Sequence, residues 1–240
     1  MWFMEGMCYL PTALVIWSSA AFIISYVIAV LTRDVEPFFP YISDTGTTPP
    51  ESGVFGLMVF ISAALGAATM YTKYKLLEKQ NEPAQLISSK FNIFALIVGL
   101  FGCLGMAIVA AFQETAVPKV HDIGALMAFF CGVLHIFLQS IISYKMHVNR
   151  ALSHTRMAIS FIAVIAFIIM LVCAGCSKLE IRVHWVITDK NYVIHAVSAV
   201  CEWLVAFSFV FFFFTYIREF QTFRLTVLTE IYDELINQYI

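Results

Sequence analysis

Glu202 is the one acid inside any long apolar run of this chain. An ionisable group at such a depth is costly unless it has a partner or a task. On a helix, His195, Ser198 and Glu202 stand at i, i+3 and i+7 and share a face. A carboxyl flanked by a hydroxyl and an imidazole suits a proton or ion relay, in which the acid takes up and releases a cation. In a second run, His121 and Asp122 mark an entrance, and His135 follows fourteen residues later. That spacing puts His135 on the same face as His121 and about 20 Å deeper. His121 and His195 fall at similar depth on one side. Such a pair would suit a bis-histidine haem, although a second pair is missing. The plainer reading is that these polar groups bond between helices and fix their packing. Cys173 and Cys176 form C-x-x-C, but no further ligands lie nearby, so they read as two thiols near a helix end. No G-x-S-x-G, H-E-x-x-H, paired intramembrane Asp, P-loop or Rossmann glycine pattern occurs. The residues therefore predict no catalytic set, no metal site and no cofactor, and the chain is expected not to be an enzyme.

The elements that carry these residues follow from composition. Of the 240 residues, 61% are hydrophobic and 12% charged. The mean hydropathy is +0.85. A globule of this length has too little interior for so much apolar surface; a bilayer has room. Six apolar stretches stand out, at 10–31, 53–71, 91–112, 123–144, 157–176 and 192–217. The first five lack Asp, Glu, Lys and Arg and hold about 19–22 residues each, enough to cross a hydrocarbon core of about 30 Å as helices. The expected fold is all-α: a polytopic membrane protein with six transmembrane helices in a compact bundle. The first stretch reads as a permanent span, since it is long and nothing basic precedes it. Small residues repeat along the spans, as Ala21, Ser25 and Ala29, as Ser62 and Gly66, and as Gly99, Gly102 and Gly105. They predict close helix contacts.

Charge sets the orientation. The loops after spans 2 and 4, with both termini, hold nine Lys and Arg; the other loops hold five. The positive-inside rule then places both termini in the cytosol. A near-neutral balance of −2 gives no reason to expect nucleic acid. The polar run from Pro40 to Ser52 falls in the first non-cytoplasmic loop and has no Lys or Arg. Its Asp44-Thr45-Gly46 predicts a turn in which Gly46 supplies positive φ. Pro50 and Glu51 mark the start of the next helix. The loop reads either as a rigid cap or as a recognition surface. No N-x-[ST] sequon is present. Beyond Ile217, residues 218–240 read as a cytosolic amphipathic tail, with Phe220, Phe223, Val227, Ile231 and Leu235 at helical spacing. Tyr232-Asp-Glu-Leu235 fits the pattern read by membrane-sorting adaptors.

Several blocks together resemble the damage-regulated autophagy modulators, a branch of the wider Frag/DRAM/Sfk family of six-span proteins. They are Ser18–Tyr26, Pro40–Ser52, Gly66–Tyr71, Val117–Asp122, Leu138–Lys145 and Val200–Trp203. The likeness runs along nearly the whole chain and is strongest to the first, damage-induced branch. It implies a lysosomal or late-endosomal membrane, promotion of autophagy with links to cell death under stress, and no established enzymatic activity. The implied partners are membrane lipids, other lysosomal membrane proteins and sorting adaptors. The signature loop carried over is Tyr41, Ser43, Asp44, Gly46, Pro50 and Glu51; Glu202 and Trp203 form a second block. Two departures stand out. Ala111 replaces an expected Asn, and His184-Trp-Val-Ile187 lacks the expected Asn-Pro. The alternatives are a plasma-membrane regulator of phosphoinositide kinase or lipid asymmetry, and a small-solute or ion transporter using Glu202.

Overall fold

A computed structural model describes residues 6–176, 183–185, 187–224 and 226. Six long helices account for most of them: α1 (Tyr9–Thr32), α2 (Glu51–Asn81), α3 (Ser89–Ala111), α4 (Pro118–Lys145), α5 (Arg150–Cys176) and α6 (Tyr192–Phe214). A short α7 (Ile217–Phe220) follows. All six are long and apolar enough to cross a membrane. No strand occurs among the described residues.

Local chemistry explains where the helices stop. Arg33 ends α1 in the left-handed region, at φ 67, with its N–H turned back on the last carbonyls. The Ser88 hydroxyl caps α3 by accepting from the N–H of Phe91 at 3.2 Å. Pro118 opens α4, where its missing N–H costs nothing. Helix α2 begins at Glu51 as expected but runs on to Asn81, ten residues past the apolar stretch. Its 31 residues reach about 46 Å. The extension carries exposed Lys75–Glu78 and Lys79–Glu82 pairs at i, i+3, which support a helix in water.

The small residues sit at the contacts. Ala21, Ser25 and Ala29 are fully buried along α1. Helices α3 and α4 approach so closely that a Cβ on Gly105 would lie 2.4 Å from the backbone N of Ala128. Without such residues these backbones would be pushed apart.

The two ends of the bundle differ. At one end, the N–H of Met7 donates to the carbonyl of Phe220 at 2.9 Å, so the beginning and the end of the described chain meet. This end also holds a buried ion cluster. Glu219 of α7 pairs with Lys73 of α2 and with Arg156 of α5, the latter at 2.8 Å. Arg156 also donates to the hydroxyls of Ser143 and Thr215, at 2.8 and 2.9 Å. Its guanidinium lies over the Tyr216 ring. Lys73 and Arg156, counted from sequence among the loop cations, are 2% and 0% exposed. The expected surface tail also differs in its first part. Phe220 is fully buried and stacks on Tyr216, because Glu219 draws α7 into the bundle. Tyr232 and Leu235 lie outside the described residues.

Candidate functional site

The opposite end is closed by the polar run read from the sequence. From Pro40 to Thr47 only Tyr41 and Ser43 are half-buried; the rest are buried. The turn Asp44–Gly46 is a single 3-10 turn, closed by Gly46 N–H to the Ser43 carbonyl at 3.0 Å. Thr45 and Thr47 turn their hydroxyls onto the carbonyls of Ile42 and Asp44. Asp44 accepts from the N–H of Tyr41 at 3.0 Å. A buried loop must settle its own polar groups, and these residue types do so within eight positions. Pro50 is exposed, and Glu51 is fully buried at the first turn of α2.

Gly46 corrects one expectation. It does not adopt positive φ. Glycine is needed there because a Cβ would meet the Phe55 ring at 2.4 Å. The loop lies directly on α2, and only hydrogen fits between them.

Under this segment three carboxyls converge from three parts of the chain. Asp44 comes from the loop, Glu202 from α6 and Glu114 from the short link between α3 and α4. Asp44 and Glu114 share a hydrogen bond, and Glu202 adds its charge to the same region. Burial, then the charges of Glu114 and Glu202, hold the Asp44 carboxyl well above the usual carboxylate range. Burial also raises the Tyr41 phenol. The Glu202 carboxyl faces the backbone N–H groups of Ile42 and Ser43. Its Oε2 is buried without a hydrogen-bond partner, as is Oε2 of Glu114.

Aromatic rings wall the cluster. His195 sits edge-on to Tyr41 at 4.8 Å and stacks on Trp185 at 4.4 Å. The Ser198 hydroxyl lies near Tyr41 and donates to the carbonyl of Met170 at 3.0 Å. His121 of α4 hydrogen-bonds through Nδ1 to the Phe112 carbonyl at 2.7 Å. Asp122 beside it is exposed. Trp203 donates its indole N–H to the Pro40 carbonyl at 2.9 Å.

Of the residues singled out from sequence, Tyr41, Ser43, Asp44, His195, Ser198, Glu202 and His121 thus gather at one end of the bundle, while Asp122, Pro50 and Glu51 stand outside the cluster. Glu114 was missed. Its only signal was an acid in a six-residue link at the membrane boundary. Ala111, where Asn was expected, is exposed and takes no part. His135 lies deeper in α4, fully buried, bonded through Nδ1 to the Ala95 carbonyl at 2.8 Å. Cys173 and Cys176 are free thiols at the end of α5. Among the described residues no three His, Cys, Asp or Glu side chains are placed so that they could hold a metal ion. Chemically, the site can hold and shift protons between carboxyls and can present oxygen acceptors to an apolar interior.

Residues 6–223 match the family described as Frag1/DRAM/Sfk1/Cwh43P N-terminal domain. The chain is 55% identical to DNA damage-regulated autophagy modulator protein 1 of Mus musculus, over 97% of this chain and 98% of that one. It is 54% identical to the Homo sapiens protein of that name, over 97% and 99%. It is 40% identical to DNA damage-regulated autophagy modulator protein 2 of Rattus norvegicus, over 94% and 88%. No solved structure matches it significantly.

Proposed function

The chain belongs to the Frag1/DRAM/Sfk1/Cwh43P family, and from that premise we propose that it is a multi-pass membrane protein that modulates autophagy. The observation that carries this is identity of 54–55% along nearly the full length of relatives named for that role. Its place is the lysosomal or late-endosomal membrane, with the Asp44 end toward the lumen and the Glu219 end toward the cytosol. The charge count of the loops supports that orientation. It works as a non-enzymatic scaffold for other proteins of that membrane. In support, the conspicuous polar loop is packed down as a lid on the bundle, and the buried polar groups bond mainly to one another and to backbone.

A C-terminally tagged chain, imaged with lysosomal and plasma-membrane markers while autophagic flux is recorded, tests this. Lysosomal signal with raised flux is expected. Plasma-membrane signal with unchanged flux would instead favour regulation of phosphoinositide kinase or lipid asymmetry. The same preparation with Tyr232→Ala reports whether that tyrosine directs sorting.

A further inference from the structure

The connection from α1 to the buried 3-10 turn does not stand clear of the bundle. No charged residue occurs between Leu10 and Leu31, and Val27 and Leu31, in the last turns of α1, are 44% and 77% exposed. Such a face belongs in hydrocarbon, so the polar boundary of α1 lies at Arg33 and Asp34. From there the chain turns back. The hydroxyl of Tyr26 donates to the carbonyl of Pro37 at 2.8 Å. Tyr26 is seven residues short of Arg33, which places Pro37 about 10 Å inside that boundary. The α6 side agrees. Trp203, bonded to Pro40, stands eleven residues past Tyr192 at the start of α6, or about 16 Å in. Tyr26 and Trp203 meet edge-on at 6.0 Å, so the segment lies along the seam of α1 and α6.

The residues that enter at this depth suit lipid. Glu36 keeps its carboxylate at the edge, 3.7 Å from the exposed His184. Phe38 and Phe39 follow, 69% and 53% exposed, before the chain passes into the protein at Pro40. Hydrocarbon offers a backbone no hydrogen bonds, so irregular chain at that depth must carry few unsettled polar groups. Pro37 and Pro40 have no N–H, and both their carbonyls are bonded, to Tyr26 and Trp203. Phe39 has φ 49, a left-handed conformation that glycine or asparagine adopts more easily. A bulky ring held at such a position, and turned outward, points to a partner outside the bundle. At this depth on the seam, that partner is the acyl chains.

We infer that residues 36–40 dip into the leaflet at this end of the bundle, and that Phe38 and Phe39, set among acyl chains, anchor the lid formed by residues 40–47. The lid then rests in lipid and not in the aqueous space beyond it. The full chain in phosphatidylcholine nanodiscs provides the test, with photoreactive benzoylphenylalanine introduced in turn at Phe38, Phe39, Leu31 and Glu82. Leu31 is the lipid-facing reference, and the exposed Glu82, just past α2, is the aqueous one. After irradiation, intact-mass spectrometry should show a phosphatidylcholine adduct at Phe38 and Phe39, in a yield within about threefold of Leu31 and at least tenfold above Glu82. Yields at both positions as low as that of Glu82 overturn the inference. The anchoring has a label-free readout. Replacing both rings, by Phe38→Ser with Phe39→Ser, should speed hydrogen exchange at residues 41–48 at least tenfold in the same nanodiscs and leave α3 and α4 unchanged. Unchanged exchange at 41–48 overturns the anchor. Should the double variant not fold, the adduct yields decide alone, since there one aromatic ring replaces another. Neither readout involves autophagy or the compartment that this end faces, so their failure and that of the proposed function are separate results.

Discussion

The indole N–H of Trp203 donates to the carbonyl of Pro40 across 163 positions of sequence, at 2.9 Å. This bond ties two of the blocks that carry the family likeness, the 40–52 loop and the one ending in Glu202-Trp203, into one structure. The indole also meets Phe22 and Tyr26 of α1 edge-on and stacks on Phe207. It fastens the loop to α1 and α6 at once. Trp203→Phe keeps most of the ring contacts and removes the donor. The expected cost is about 1 kcal/mol, confined to the loop. Hydrogen exchange should rise at residues 41–48 and stay unchanged in α3 and α4.

Gly46 provides a second handle on the same lid. Gly46→Ala drives a methyl into the Phe55 ring, and overpacking of that kind costs about 1–3 kcal/mol. Phe55→Ala in the same chain should recover part of it. Thermal unfolding of both single variants and the double variant measures the coupling, and strict additivity would mean that the two residues do not meet.

Acid should tighten the lid. The Asp44 carboxyl holds its proton above the usual range in the folded state, first through burial and then through Glu114 and Glu202. In an opened loop it ionises near the ordinary value of 3.8. Between those two values the closed state binds more protons, so closure is favoured at low pH and weakens as pH rises. Loop protection is expected to be greater at pH 5 than at pH 7.5. Asp44→Asn, which cannot ionise, should flatten that dependence.

At the other end, Glu219 faces two buried cations. Removing one partner of such a cluster strands charge, a loss of about 3–5 kcal/mol. Arg156→Ala and Glu219→Gln should each destabilise by this order, and Glu219→Gln should also release α7. A cysteine placed at Thr222, next to α7 and exposed, should then label faster with a membrane-impermeant thiol reagent applied from that side.

Much of this architecture was legible in the residues. Six apolar runs, their small-residue contacts and the start of α2 at Glu51 follow from local rules of length, volume and capping. The convergence of His195, Ser198 and Glu202 on one face followed from helical period alone. What local rules could not reach were partners distant in sequence. Lys73 and Arg156 entered only as loop charges, because their acid lies 146 and 63 positions away. Gly46 read as a φ requirement because nothing local announces Phe55. Glu114 went unnoticed because only the closed bundle brings the α3–α4 link beneath the loop.

The central claim is that this chain modulates autophagy, and one measurement tests it most directly. Autophagic flux would be followed in cells depleted of their own family members and supplied with this chain at endogenous levels. The account predicts that the full chain restores flux and that Trp203→Phe, with its loosened lid, restores it less at equal abundance. Normal folding and membrane insertion without any recovery of flux would contradict it.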